Sequence, residues 1–179
     1  MDINFLVKLS TRAWSIDVLA ALYSGVAGRQ ATLLSKTGAS RTALLNCLEH
    51  LISLELVQRN KGHGHPLRPE YLLTQLGEYV GETALKIVSL APTANERLIL
   101  NRAWSIPVIV ISAEPRYFSE IKHKLKPITD RALSQSIQLL EKQNWLGRRI
   151  DIEHRPPRPI YQTCNTGKLL SQTLIQSYA

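Results

Sequence analysis

The chain has 179 residues, 44% hydrophobic and 20% charged, and a formal net charge of +8 with a pI near 9.7. These proportions exclude a disordered chain, and the longest apolar runs, such as Ile106 to Ala113, are too short to span a bilayer. The excess of positive charge points to a polyanion as partner, most often nucleic acid, against the plainer reading of charge kept for solubility.

The opening Met1-Asp2-Ile3-Asn4 carries an acid where a secretory signal needs basic residues. The two cysteines, Cys47 and Cys164, make no disulfide framework. A reducing cytoplasm is therefore the expected location.

In chain order, Ile3, Leu6, Val7 and Leu9 can share one helical face. The pentapeptide Arg12-Ala13-Trp14-Ser15-Ile16 follows, and it returns as Arg102-Ala103-Trp104-Ser105-Ile106. Roughly 16,000 window pairs at about 6% identity per site give an expectation of about 0.01 such runs, so a duplication is indicated. Arg68-Pro69 with Tyr71 and Arg158-Pro159 with Tyr161 keep the same offset, as do Gly77 and Gly167. The spacing predicts unit one over residues 1–88, a helical connection over 89–101 broken at Ala91-Pro92, and unit two over 102–179.

In unit one Ser15 is expected to cap a helix, and in unit two the counterpart starts at Ser105, with Pro107 tolerated in the first turn. A short helix over Gln30 to Lys36, matched by Ser119 to Leu125, then leads into a turn. Ser40 and Thr129 are N-cap types that open longer helices. Leu44, Leu48 and Leu51, and in the second copy Leu133, Ile137 and Leu140, have the spacing of a buried stripe. Leu56 to Arg59 and Leu146 to Ile152 read as strands leading into Gly-, Pro-, His- and Arg-rich loops, with return strands at Tyr71 and Tyr161. Closing helices are expected over Thr74 to Val88 and Thr166 to Tyr178. This order is a winged helix-turn-helix, so the expected fold is mainly α with small β wings (α+β), as two tandem winged helix-turn-helix domains.

Trp14 before a helix, Ser40-Arg41-Thr42-Ala43-Leu44, Leu56-Val57, Arg68-Pro69-Glu70-Tyr71 and Leu73-Thr74-Gln75-Leu76-Gly77 together resemble the HxlR-type winged-helix transcriptional regulators. Those regulators are similar in closing the wing with an Arg-x-x-Tyr-x-Leu-Thr-x-x-Gly stretch. The second unit keeps Arg158-Pro159-Ile160-Tyr161 but lacks the Leu-Thr, having Gln162-Thr163-Cys164. Where the family places a glycine before the first wing strand, this chain has Glu55 and Asn144. Family members are usually single-domain dimers, which a tandem chain would replace with a pseudo-dimer.

The helix faces left free by the core stripes carry the candidate base-reading residues. In unit one these are Ser40, Arg41, Thr42, Leu45 and Asn46, with His50 further along; in unit two they are Thr129, Asp130, Arg131, Ser134 and Gln135, with Gln138 beyond. Arg can grip guanine at two points, and Asn or Gln can do the same with adenine. Asp130 opposes phosphate unless it accepts from cytosine or pairs with Arg131. The wings supply candidate phosphate contacts: Arg59, Lys61, His63, His65 and Arg68 in the first; Arg149, His154, Arg155 and Arg158, together with Arg148, in the second.

His63-x-His65 without a second pair is a weak metal-ligand signal and reads as part of a polar wing. Cys47 and Cys164 read as buried, inert thiols, and the tryptophans as core anchors. No catalytic triad, phosphate-binding loop or carboxylate pair is evident, so neither an enzyme nor a cofactor is expected. The function expected is sequence-specific binding of double-stranded DNA, most simply by a prokaryotic transcriptional regulator using both units on a bipartite site. A homodimer through the terminal helices is an open extension. The rivals are a plasmid or mobile-element replication initiator, a tandem winged-helix protein–protein adaptor, and an effector sensor with a pocket near Trp14 and Trp104.

Overall fold

The computed structural model describes residues 2–60 and 69–177. The chain divides into two compact units, one of residues 12–89 and the other of residues 1–11 with 90–179. Both contain a helix, a short helix, a longer helix, an antiparallel hairpin and a closing helix, in that order.

In the unit of residues 12–89, α2 (Ser15–Tyr23) packs against α3 (Gln30–Thr37) and α4 (Arg41–Ser53). The hairpin β1 (Val57–Arg59) and β2 (Tyr71–Leu73) follows, then α5 (Gln75–Leu90). The hairpin is antiparallel, with Val57 opposite Leu73 and Arg59 opposite Tyr71. Leu33, Leu44, Leu48, Leu51, Leu56 and Tyr71 are among the buried side chains, so the helix stripe read from the sequence is the core stripe. Gly38 ends α3 at φ +74, where a β-carbon would be strained, and Ser40 caps α4 by accepting from the Ala43 N–H at 3.2 Å.

In the other unit, α1 (Ile3–Ser10) and α6 (Ala94–Leu100) both pack on α7 (Ser105–Ile111). Leu6 and Leu9 are buried there, which explains why the first helix groups with residues 90–179 and not, as its sequence position implied, with the unit that follows it. The strand β3 (Arg116–Tyr117), α8 (Phe118–Lys124), α9 (Asp130–Lys142), β4 (Leu146–Asp151), β5 (Arg158–Thr163) and α10 (Asn165–Gln176) complete it. The sheet order is β3-β5-β4, antiparallel throughout. The two-residue β3 was not legible in the sequence; its counterpart in the other unit is a single bridge between Arg29 and Glu70.

Gly77 and Gly167 have a common structural reason. A β-carbon on Gly77 would collide with the Leu56 carbonyl oxygen, and one on Gly167 with that of Trp145. The closing helix can approach the start of the wing only through a glycine.

Several local expectations change. Ser15 is not a cap: Trp14 holds that position, and the buried Ser15 hydroxyl donates to the Arg12 carbonyl at 2.9 Å. Trp145 is the tryptophan of the core, whereas Trp14 and Trp104 are half-buried. No described helix is long and apolar enough to cross a membrane.

Candidate nucleic-acid interface

Each unit carries its own candidate surface, built from α3, α4 and the hairpin in one and from α8, α9 and the β4–β5 wing in the other. In α4, burial of Leu44, Cys47, Leu48 and Leu51 turns Ser40, Arg41, Thr42 and Asn46 outward, all of them exposed. In α9, burial of Leu133, Ser136, Ile137 and Leu140 leaves Thr129, Asp130, Arg131, Gln135 and Gln138 exposed. Leu45 and Ser134 are half-buried and flank these faces instead of standing on them. Thr129 caps α9 through the Ala132 N–H at 3.2 Å.

Asp130 does have a partner, but it is not Arg131. Lys122 on α8 reaches it at 2.8 Å. The pair neutralises the carboxylate that would repel phosphate and leaves Arg131 exposed. Spacing along one helix could not show this, because the cation belongs to the preceding helix.

The start of the wing keeps the 89-residue offset that separates Ser40 from Thr129 and Glu55 from Asn144. Arg59 faces Tyr71 across the first hairpin, and Arg148 faces Tyr161 across the second, so Arg148 and not Arg149 is the counterpart of Arg59. The Arg59 guanidinium lies 6.0 Å from the centre of the Tyr71 ring, a geometry that restrains the side chain by about 0.5–1 kcal/mol at an exposed site. Arg149, Arg155 and Arg158 are exposed on the second wing. Lys61, His63, His65 and Arg68 lie outside the described residues.

His154 is not a free wing-tip cation. Its Nδ1 lies 3.1 Å from the Tyr117 hydroxyl and 3.4 Å from Asp151 Oδ2, while the Tyr117 hydroxyl donates to Asp151. That hydrogen bond, ahead of every other influence, holds the Asp151 carboxyl below the ordinary carboxylate value and the Tyr117 hydroxyl above that of a free phenol.

The two thiols part company. Cys47 is buried against Ser15, and burial pushes its thiol up to about 12, so it is inert at neutral pH. Cys164 is half-buried, not buried as expected. Its thiol takes the role that the Thr74 hydroxyl plays in the other unit. Thr74 donates to the Glu55 carbonyl at 2.6 Å, and Cys164 to the Asn144 carbonyl at 3.3 Å. Glu55 and Asn144 both stand at φ +58, the left-handed conformation for which a glycine is usual. Among the described residues, no group of three or more His, Cys, Asp or Glu could hold a metal ion.

An open cavity of about 780 Å³ lies along the C-terminal half of α4 and the hairpin in the unit of residues 12–89, lined by Glu49, Ile52, Leu72 and Arg59 among others. It sits beside the wing, away from the N-terminal half of α4 that carries the exposed polar face.

No curated protein sequence matches the chain. Among solved structures, it is similar to a protein described as a putative MarR-family transcriptional regulator from Porphyromonas gingivalis W83, at 15% identity and a TM-score of 0.38 over 51% of this chain and 80% of that one. It is also similar to one described in the same way from Enterococcus faecalis V583, at 20% identity and a TM-score of 0.38 over 53% of this chain and 79% of that one. The profile of the HxlR-like helix-turn-helix family matches twice, over residues 9–97 and again over 99–178. With two matches that tile almost the whole chain, and a capped helix, a wing and a glycine-seated closing helix in each half, the chain belongs to the HxlR-like helix-turn-helix family as a tandem pair.

Proposed function

We propose that this protein is a sequence-specific, double-stranded DNA-binding transcriptional regulator whose two units read two different half-sites of one bipartite target. The observation that carries the reading is the pair of capped helices, α4 and α9, each presenting an exposed polar face that the core does not use. Their family membership, found twice along the chain, supports the same role for both.

In this reading the N-terminal halves of α4 and α9 enter major grooves, about 34–36 Å apart if the units act as a dimer does. Arg41 and Asn46 read bases in one half-site, and Arg131 and Gln135 in the other. Ser40, Thr42 and Thr129 contact backbone or base edges at the helix starts. Arg59, Arg149, Arg155 and Arg158 grip phosphates, as do Lys61 and Arg68. Because both units share one chain, engagement of the second is intramolecular, which raises affinity without a second copy. The two faces are chemically different, so the target is asymmetric.

Selection from randomised duplex DNA at several salt concentrations tests this. An enriched, asymmetric bipartite motif with a steep salt dependence is the expected result. A palindromic motif would indicate a homodimer in place of the intramolecular pair. Salt-sensitive binding with no enrichment, or no binding at all, would overturn the reading.

A further inference from the structure

Resting on that DNA-binding reading, we propose that Tyr117 and Asp151 are positioning residues for the second wing, and that protonation of His154 tightens their hold on it. The β4–β5 ladder ends where Asp151 pairs with Arg158. The turn beyond, residues 152–157, carries Arg155 and is directed by side chains. Asp151 Oδ2 accepts from the Tyr117 hydroxyl, and its Oδ1 accepts from the Glu153 N–H at 3.1 Å. The His154 ring stands edge-on to the Tyr117 ring at 5.2 Å, with Nδ1 within 3.4 Å of both oxygens. Tyr117 is also the N-cap residue of α8, its backbone N–H bonded to Glu120 at 2.7 Å. One cluster therefore ties the wing turn to the first helix of the helix-turn-helix.

The other unit ties the start of its own first motif helix to the returning chain, and does so with fixed charges. Arg29, the N-cap residue of α3, reaches Glu70 on the returning chain at 3.9 Å. In the second unit Tyr117 stands at the N-cap in place of Arg29 and its hydroxyl reaches the outgoing strand, while the ion pair, His154 with Asp151, lies within the wing itself. When His154 is neutral, its ring competes with Asp151 for the Tyr117 proton or offers one N–H. When it is protonated, Nδ1 carries a hydrogen and can only donate into the cluster, and an ion pair with Asp151 is added to the hydrogen bonds.

The surrounding charges allow this. Arg158 lies across the ladder from Asp151, Glu153 and Arg155 flank His154 along the turn, and Glu120 on α8 is accompanied by Arg116 at 3.9 Å. Asp151, its carboxyl held low first of all by the Tyr117 hydrogen bond, stays ionised throughout the range in which imidazoles titrate. The Asp151 side chain is 20% exposed and that of His154 47%, and neither residue belongs to the buried core, so substitution here leaves the core intact.

The test is fluorescence anisotropy of the whole protein on a labelled duplex at about pH 8 and about pH 6, where imidazoles change charge. The wild type is expected to bind about fivefold more tightly at the lower pH through this one charge. His154→Gln removes that gain, leaving only what the other histidines contribute. Asp151→Asn removes it as well, although the imidazole itself is left in place. This second variant separates the proposal from direct phosphate contact by His154, under which Asp151→Asn would leave the gain intact or enlarge it. Retention of the wild-type gain in either variant overturns the proposal.

Should the wild type bind no duplex at either pH, the DNA-binding reading falls, and the latch is judged by NMR. Amide shifts of residues 152–157 that follow the His154 titration in the wild type but not in Asp151→Asn support it. Wing amides indifferent to that titration refute it.

Discussion

Glu55 and Asn144 occupy the same turn of the two units at the same φ of +58, yet they meet it with different chemistry. A left-handed residue with a β-carbon costs about 1–2 kcal/mol, and asparagine tolerates it better than glutamate. Glu55→Gly is therefore expected to raise unfolding stability by about 0.5–1 kcal/mol, and Asn144→Gly by less, as read from urea denaturation. The Glu55 carbonyl that anchors Thr74 is retained in that variant, so the closing helix keeps its seat. Gly77 and Gly167 behave in the opposite sense. Alanine at either position drives a methyl into a backbone carbonyl, which cannot rotate away. A destabilisation of about 3 kcal/mol or more is expected for each, with a matching fall in melting temperature. Cys164 falls between these cases: Cys164→Thr restores the hydroxyl that Thr74 supplies in the other unit, and is expected to stabilise by about 1 kcal/mol, seen as a higher denaturation midpoint.

At the scale of elements, the helix-turn-helix of the second unit is held by a charge pair that lies on the candidate DNA face. Lys122 and Asp130 are both substantially exposed, so their bond contributes less than about 1 kcal/mol to stability. Its effect on binding is expected to be larger. Lys122→Ala removes a cation and also uncovers a carboxylate in front of phosphate, whereas the double variant Lys122→Ala with Asp130→Asn removes both charges and leaves no bare carboxylate. The double variant is expected to bind DNA more tightly than the single one while their melting temperatures stay close. Equal affinities would show that Asp130 does not approach the duplex. The stripes of α4 and α9 were legible in the sequence because a buried helical face must repeat at about 3.6 residues. The Lys122–Asp130 pair was not, since nothing in the spacing of one helix reports which side chain of the preceding helix comes beside it. The same holds for β3, whose two residues are too few to show a period.

At the scale of the whole molecule, charge is divided unevenly. Residues 12–89 hold eight basic and six acidic residues, a net +2, while residues 1–11 with 90–179 hold fourteen basic and eight acidic, a net +6. If the units read DNA as proposed, the second should make most of the phosphate contacts, and the first should draw proportionately more of its binding from bases. Replacing Arg149, Arg155 and Arg158 with alanine is expected to lower the slope of log affinity against log salt by about 0.9 for each phosphate no longer neutralised, with sequence preference little changed. Arg41→Ala should do the reverse, relaxing preference at one half-site by about 1–3 kcal/mol with a small change in slope. Selection profiles and salt titrations of the two variants distinguish these outcomes. The sequence by itself determined the duplication, the order of elements, both core stripes and the two caps at Ser40 and Thr129, because each of these is written in local spacing or in residue types with one strong conformational use. Tertiary structure decided the rest. It brought Lys122 to Asp130 and folded His154 back on Tyr117 and Asp151, contacts between different elements that the spacing within any one of them does not report. It also set apart the twin pentapeptides that first revealed the repeat: Trp14 stands at φ +72 and Trp104 at φ −107. The same five residues therefore hold their tryptophan in two backbone conformations, because surroundings outside the pentapeptide select between wells that differ by only a few kcal/mol.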